Sequence, residues 1–460
     1  MSLQIVILAA GKGTRMYSHD VKVLQKLAGK PMLQWVIERA RLLNPDAVHV
    51  IVGHQSQTIV SAINDNTLNW VEQAEQLGTG HAVMQALPYI DDKSYVLVLS
   101  GDVPLIDAAI LQQLIHRMEQ AKKEPLVLLT AKVDDPSGLG RIIRDKEGYV
   151  QAIVEEKDAG VAEKQINEIY SGICCAPARS LKQWLPKLSN KNAQGEYYLT
   201  EIIQLAVAEG CPVEAVVTDK ISSILGVNNR LQLHQLERLW QKEHAQSLLL
   251  AGLSLADANR FDVRGILTHG KDVFIDVNVV IEGQVTLDDG VHIGPNCVLK
   301  DCQIGNNSHI HANSVIEGAL IGHANEIGPF ARVRPGTVLA NHCKIGNFVE
   351  TKKATFADGS KASHLSYLGD VMIGSNVNIG AGTITCNYDG ANKYQTIIED
   401  GAFIGSDTQL IAPVTVGKNA TIGAGSTIRK DAPPDALTLS ASVQRTLMGW
   451  KRPQKKEKNS

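Results

Sequence analysis

Aromatic residues are scarce in this chain, 5% of 460, so any core must be built from aliphatic side chains. A surplus of one charge is missing too: 45 Lys and Arg stand against 48 Asp and Glu, a net of -3. No broad field gathers nucleic acid or anionic lipid, and an anionic ligand needs a local site. No run of 18 apolar residues occurs, so no membrane-spanning helix is expected. The opening MSLQIVILAAGKG has no basic residue ahead of its short apolar run and no small-residue cleavage pattern, so a signal peptide is not expected. The seven cysteines are scattered without CxxC spacing, which argues against a disulfide framework and leaves reduced, cytoplasmic thiols as the default.

What the chain does have is glycine, and unevenly. Of 39 glycines, 15 precede Ala251 and 24 follow it. The length suggests two large domains or three smaller ones. Before that point, short apolar runs at Ile5 to Leu8, Val48 to Val52, Tyr95 to Leu99 and Leu126 to Leu129 alternate with helical patterns such as Pro31 to Leu43, which predicts a parallel α/β sheet. Ligands of such sheets sit beyond the carboxyl ends of the strands. Asn229 to Leu250 lacks Gly and Pro and spaces Leu233, Leu236, Trp240, Ala245 and Leu248 near helical periodicity, so one long helix is expected. The domain boundaries then fall at 1–229, 230–250 and 251–460.

Beyond Ala251 the apolar residues recur every six positions: Ile275, Ile281, Leu287, Ile293, Leu299; Ile304, Ile310, Ile316; Ile321, Ile327, Val333, Leu339, Ile345; later Ile373, Ile379, and Ile404, Leu410, Val416, Ile422, Ile428. One inward aliphatic per hexapeptide fits a three-sided parallel β-helix with coils of about eighteen residues. The Gly that follows many of these positions is expected to serve the corners. Residues 351–372 and 383–402 break the pattern and read as loops extruded from the solenoid.

The first strand runs into Leu8-Ala9-Ala10-Gly11-Lys12-Gly13-Thr14-Arg15-Met16. A dinucleotide fingerprint would need a third Gly at Met16, and a P-loop a different spacing. Gly11 and Gly13 still admit phosphate to backbone N–H groups, with Lys12 and Arg15 supplying charge. Gln73 to Ala82 offers amides, small residues and a helix start suited to a base edge. Ser100-Gly101-Asp102 ends another strand, leaving Asp102 as either a helix cap or a Mg²⁺ ligand.

LAAGKGTRM, Lys22, QLGTGHA, SGDVPL, GLGRI and GVNNR together resemble the sugar-1-phosphate nucleotidyltransferases, and with the hexapeptide half the chain resembles the bifunctional N-acetylglucosamine-1-phosphate uridyltransferase/glucosamine-1-phosphate acetyltransferase family along its whole length. The resemblance implies a Rossmann-like α/β nucleotidyltransferase domain followed by a left-handed parallel β-helix, usually a homotrimer. It implies that Leu8, Ala9, Ala10, Gly11, Arg15, Lys22, Gln73, Gly78, Thr79, Ser100, Gly101, Asp102 and Asn228 meet UTP, with Asp102 and Asn228 holding Mg²⁺. Gly140, Glu155 and Tyr170 would surround the sugar. Val21 stands where the family has Pro before the lysine, and Tyr170 where it has Asn.

In the second half the resemblance makes His364 the general base for acetyl transfer from acetyl-CoA to glucosamine-1-phosphate, yielding N-acetylglucosamine-1-phosphate. Arg334, Lys352, Tyr367, Asn378 and Lys393 would bind the sugar phosphate, and Ala381, Asn387, Tyr388, Ser406 and Ala424 the acetyl-CoA. The product, UDP-N-acetylglucosamine, would feed envelope polysaccharide synthesis. Ala441 replaces a family Arg at the cofactor phosphates, for which Arg445 or the basic tail Lys451, Arg452, Lys455 and Lys456 could substitute. The alternative is a nucleotidyltransferase of single activity on a structural, trimerising β-helix. His364 with the Asn387-Tyr388 segment separates the two, because a purely structural solenoid needs neither.

Overall fold

The computed structural model describes residues 2–53, 55–440 and 444–453. Its internal contacts divide the chain into two compact units, Met1–His244 and Ala245–Ser460.

In the first unit, β1 (Leu3–Leu8), β2 (Ala47–Val52), β3 (Asn69–Glu72), β4 (Tyr95–Ser100), β5 (Leu126–Lys132), β6 (Glu168–Pro177) and β7 (Val213–Val217) form one sheet in the order β7-β5-β6-β4-β1-β2-β3. The central strands β1, β4 and β5 are largely apolar because both faces are buried. In β1, Leu3, Ile5 and Ile7 enter one core while Val6 enters the core on the opposite face. The sheet is not wholly parallel, as the alternating pattern suggested. Strand β6 runs antiparallel to both β4 and β5. The cause is the hairpin Arg141–Arg144 and Val150–Val154 inserted after β5, which turns the chain around. β6 therefore enters the sheet at the edge where β1 and β4 end, and delivers Tyr170 to Gly172 there.

Helix α1 (Met32–Arg41) buries Met32, Leu33, Trp35, Val36, Ile37 and Ala40 on one face, the spacing of an amphipathic helix. Helix α2 (Arg230–Leu250) follows Asn228 closely. Its first half is anchored by Leu236, in a cluster with Met16, Leu27, Met32 and Trp35. Trp240 lies edge-on to Trp35 at 5.6 Å, and Glu237 accepts the Ala28 N–H at 2.6 Å. These contacts fix the segment that carries Asn228.

The second unit is a parallel β-helix. Ile275, Ile293, Ile310, Ile327, Ile345, Ala362, Ile379, Ile404 and Ile422 stack in register along one ladder. Two expectations change. Residues 351–372 are ordinary coils, not an extruded loop: Thr351, Phe356, Ala362 and Leu368 occupy the inward positions and are fully buried. Their chemistry hid the period, since Thr and Ala are not read as core and the step from 351 to 356 is five. In 383–402 the inward positions Thr385 and Ile398 are likewise buried. Only the stretch between the strands Ile384–Cys386 and Thr396–Ile398 leaves the coil.

The glycines also act differently from the corner role expected of them. Of the glycines that follow inward positions, Gly294, Gly305, Gly346, Gly374 and Gly423 are not left-handed. Left-handed backbone falls instead on residues such as Asn296, Asn307, Asn313, Asn376 and Asn419, with φ between 55° and 60°, and on other glycines such as Gly290, Gly359 and Gly401. Gly346 and Gly305 are needed because the next coil presses on them: a Cβ on Gly346 would collide with the Ser363 carbonyl, and one on Gly305 would lie 2.7 Å from the Gly322 carbonyl. Gly346→Ala is therefore expected to lower stability by about 1–3 kcal/mol, the usual range for overpacking. Thermal unfolding followed by circular dichroism checks it, and an unchanged melting temperature would contradict such close stacking.

Candidate functional site

The carboxyl ends of β1 and β4 lie side by side, Leu8 opposite Ser100. Past them opens a cleft of about 490 Å³, lined by Leu8, Ala9, Ala10, Gly11, Lys12, Gly13, Arg15, Lys22, Gln73, Gly78, Thr79, Ser100, Asp102 and Asn228, within the range of ligand pockets. Gly13 has φ 60°, and a Cβ there would fall 2.5 Å from the Lys22 Cβ, so glycine lets the Lys22 segment cross the loop. Val21, in the place of the expected Pro, holds φ at -59°, the angle a proline would impose. Gly78 has φ 110°, and a Cβ there would sit 2.7 Å from the Tyr197 carbonyl. Gln73 is buried, with its amide nitrogen on the Gly78 carbonyl at 3.1 Å and the His81 ring at 3.0 Å. Gly101 is not part of the lining; its N–H donates to the Leu8 carbonyl at 2.9 Å and closes the two strand ends together.

The charged centre of the cleft is compact. Lys22 Nζ lies 2.5 Å from Asp102 Oδ2 and donates to Asn228 Oδ1 at 2.9 Å. Arg15 donates to the same Asn228 oxygen at 3.3 Å. Asp102 is not a helix cap: the next helix, Ala108–Gln120, is capped by Asp107, which accepts the Ala109 N–H at 2.9 Å. Among the described residues no group of three or more His, Cys, Asp or Glu is placed to hold a metal ion. A cation at Asp102 and Asn228 would need its other ligands from phosphate and water, the usual habit of Mg²⁺. The two oxygens already share one positive group, Lys22, so the donor set fits a cation.

A second cleft of about 500 Å³ shares Arg15, Ser100, Asp102 and Asn228 and adds Asp135, Ser137, Leu139, Tyr170 and Gln232. Tyr170, Gly140 and Glu155 form one cluster, although Gly140 and Glu155 line neither cleft. The Tyr170 N–H donates to the Gly140 carbonyl at 2.9 Å, and a Cβ on Gly140 would lie 3.6 Å from the Glu155 carboxylate. Burial raises the Glu155 carboxyl above the usual carboxylate range, against the hydrogen bond from Thr200. Tyr170 is 8% exposed; burial raises its phenol strongly, with the buried Cys174 thiol beside it. Arg141, in the GLGRI motif but given no role by the sequence, is 1% exposed. Its guanidinium bonds the Leu139 carbonyl and reaches Glu156 at 2.7 Å, tying together the two segments that flank the cluster. Gln76, one of the amides in the Gln73 to Ala82 stretch, also lines the first cleft, as does Glu196, which carries no motif that could have revealed it.

In the second unit, Arg334, Lys352 and Lys393 come together on the outer surface. Lys393 beside it, and then Arg334, lower the Lys352 ammonium from its ordinary value. Arg334 is also held by Glu350 at 2.6 Å. The excursion between the strands supplies Lys393. It folds back through a Tyr388–Lys393 bridge and a Tyr394 N–H bond to the Asn387 carbonyl at 2.9 Å, while Asn387 donates to Asp370. Tyr367 bends over Gly369, where a Cβ would lie 2.5 Å from its hydroxyl, and Gly369 pairs with Lys352. Asn378 stands one coil on from Lys361.

His364 is exposed at a corner, with Nδ1 2.9 Å from Asn347 Oδ1. A carbonyl oxygen only accepts, so in the neutral ring Nδ1 carries the proton and Nε2 the lone pair. Asn347 went unnoticed in the sequence, although it pairs with His364 one coil earlier. Ala381, Ser406 and Ala424 each stand two residues after the stacked Ile379, Ile404 and Ile422. They continue the corner column that begins with Asn347 and His364. Ala441, Lys455 and Lys456 lie outside the described residues; Arg445, Lys451 and Arg452 are exposed.

Family profiles match in the same two halves: a MobA-like NTP transferase domain over residues 5–194, a GMPPB C-terminal domain over 264–354 and the bacterial transferase hexapeptide repeat over 395–430. The bifunctional protein GlmU of Legionella pneumophila (strain Lens) is 60% identical over 461 residues, covering 100% of both chains. The protein of that name from Marinobacter nauticus is 53% identical over 453 residues, covering 98% of this chain and 99% of its own. Among the described residues no helix is long and apolar enough to cross a membrane. With both clefts and both sets of motifs present along one full-length alignment, this chain belongs to the GlmU family of bifunctional transferases.

Proposed function

We propose that the second unit acetylates glucosamine-1-phosphate with acetyl-CoA and that the first unit converts the resulting N-acetylglucosamine-1-phosphate and UTP into UDP-N-acetylglucosamine and pyrophosphate. Residues 1–229 form the uridyltransferase part, 230–250 the linking helix and 251–460 the acetyltransferase part. The reading is carried by one observation above all: Lys22, Asp102 and Asn228 converge at 2.5 and 2.9 Å on the floor of a glycine-walled cleft. Transfer of a phosphoryl group needs mainly positioning and charge neutralisation. The backbone of Gly11 and Gly13 and the cations Lys12, Arg15 and Lys22 supply both for UTP. Gln73, Gly78 and Thr79 line the side given to the base. When bound at Asp102 and Asn228, Mg²⁺ would neutralise phosphate oxygens and make the α-phosphorus more electrophilic. A phosphate oxygen of the sugar attacks that phosphorus as the bond to pyrophosphate breaks.

For acetyl transfer, Arg334, Lys352 and Lys393 hold the sugar phosphate, with Tyr367 and Asn378 beside them. His364 Nε2 takes a proton from the sugar amine as nitrogen attacks the thioester carbonyl, and the thiolate of coenzyme A leaves. Asn347 keeps the required tautomer. Ala381, Ser406 and Ala424 offer a corner column without bulk, along which a pantetheine chain can lie, with Asn387 and Tyr388 at its flank. All seven cysteines are free, which supports a reducing, cytoplasmic setting. Assembly as a homotrimer is supported by Phe330, Phe348 and Leu365. They project from one corner at 49%, 56% and 62% exposure, all with left-handed backbone that bulky residues rarely adopt.

His364→Ala is expected to lower release of coenzyme A by about 10²-fold or more while leaving UTP-dependent pyrophosphate release intact. Asp102→Ala should do the reverse. A coupled assay of thiol and pyrophosphate checks both, and loss of both activities in either variant would refute two independent sites. Glu155 is costly to ionise in place, so its stability penalty is absent below the unfolded carboxyl value and grows as pH rises past it. Glu155→Gln should therefore melt higher than the parent at pH 8, with the difference gone near pH 4, by calorimetry. Light scattering should give three times the 49.7 kDa chain mass, reduced by Phe330→Ser with Phe348→Ser; a monomeric parent would refute the trimer.

A further inference from the structure

We infer that Lys22 is the resident counter-ion of Asp102, keeping free divalent cation out of the cleft until a polyphosphate draws the lysine away, so that cation and nucleotide enter together. The inference rests on the reading of Asp102 and Asn228 as metal ligands. One oxygen of each, Asp102 Oδ2 and Asn228 Oδ1, is engaged by the same ammonium, at 2.5 and 2.9 Å. Mg²⁺ binds oxygen at about 2.0–2.1 Å and resists losing its waters. It cannot share that space with Nζ, and like charge opposes its approach.

The lysine is well placed to be exchanged. Its backbone is fixed by the short turn Lys22–Leu24, in which the Gln25 N–H bonds the Lys22 carbonyl at 3.1 Å, and by the close crossing at Gly13. Only the side chain can swing. Its stem lies along the glycine loop that would receive phosphate, and its side chain is 11% exposed. A compact ammonium with three donors can move from one anion to another without a change of fold. Phosphate oxygens that take Lys22 free Asp102, and by linkage a cation on Asp102 favours phosphate on Lys22. Asp102 and Asn228 bring only one carboxylate between them, too little to hold Mg²⁺ tightly without the nucleotide.

The test is Mn²⁺ binding to the full-length, nucleotide-free protein, read from the electron paramagnetic resonance signal of free Mn²⁺. Lys22→Met and Lys22→Gln should each bind Mn²⁺ at least about tenfold more tightly than the parent, the smaller end of what a neighbouring charge does to a carboxylate. Adding Asp102→Asn to either should abolish the gain. Equal or weaker Mn²⁺ binding in both single variants would overturn the inference while leaving the metal ligands as read. A gain that survives Asp102→Asn would instead overturn the assignment of Asp102, and the inference with it.

Discussion

In a parallel ladder every strand is bonded to the next at one spacing, about 4.8 Å, and all strands point the same way. Both sites hang on that constraint. In the first unit it brings Leu8 level with Ser100, so that the glycine loop and the Ser100-Gly101-Asp102 turn emerge together. Among strands β1 to β7, β6 alone arrives from the other direction, and for that reason its beginning, not its end, reaches the site. In the second unit the same spacing repeats one residue per coil. A corner becomes a column, and Asn347 stands under His364 because the ladder puts it there.

The parts legible in the sequence are those with a period or a backbone demand. Apolar strands buried on both faces, the hexads, and glycines such as Gly13 and Gly78 leave marks that can be read without coordinates. The illegible parts are those in which a residue does an unusual job with ordinary chemistry. Thr351 and Ala362 serve as solenoid core, so the coils around them looked like loops. The glycines after the inward positions suggested backbone freedom, yet Gly305, Gly346 and Gly374 serve close approach between coils. Strand direction was also hidden, since an antiparallel strand buried on both faces is as apolar as a parallel one.

Of the candidate site residues, those on the glycine loop and at the strand ends converge as a group, because local sequence fixes them to neighbouring strand ends. Gly140, Glu155 and Tyr170 lie far apart in the chain, and what assembles them is the Arg141–Arg144 hairpin packed at the start of β6. Arg141 takes part through a buried guanidinium bonded to a main-chain carbonyl and to Glu156. A buried charge retained in this way needs its partners, because removing one leaves the other unpaired in a poor solvent. The GLGRI motif contains this arginine, but nothing in its spacing announces the tie to Glu156.

The coil that carries Lys393 is longer than its neighbours: Ile379 stacks on Ile404, 25 positions on, where most coils take 17 or 18. The surplus residues leave and rejoin the wall without disturbing either inward side chain. Ring closure of a longer excursion costs little, about 0.6 kcal/mol per doubling of its length. That finger can thus be lengthened, shortened or rewritten while the tower beneath it keeps its dimensions.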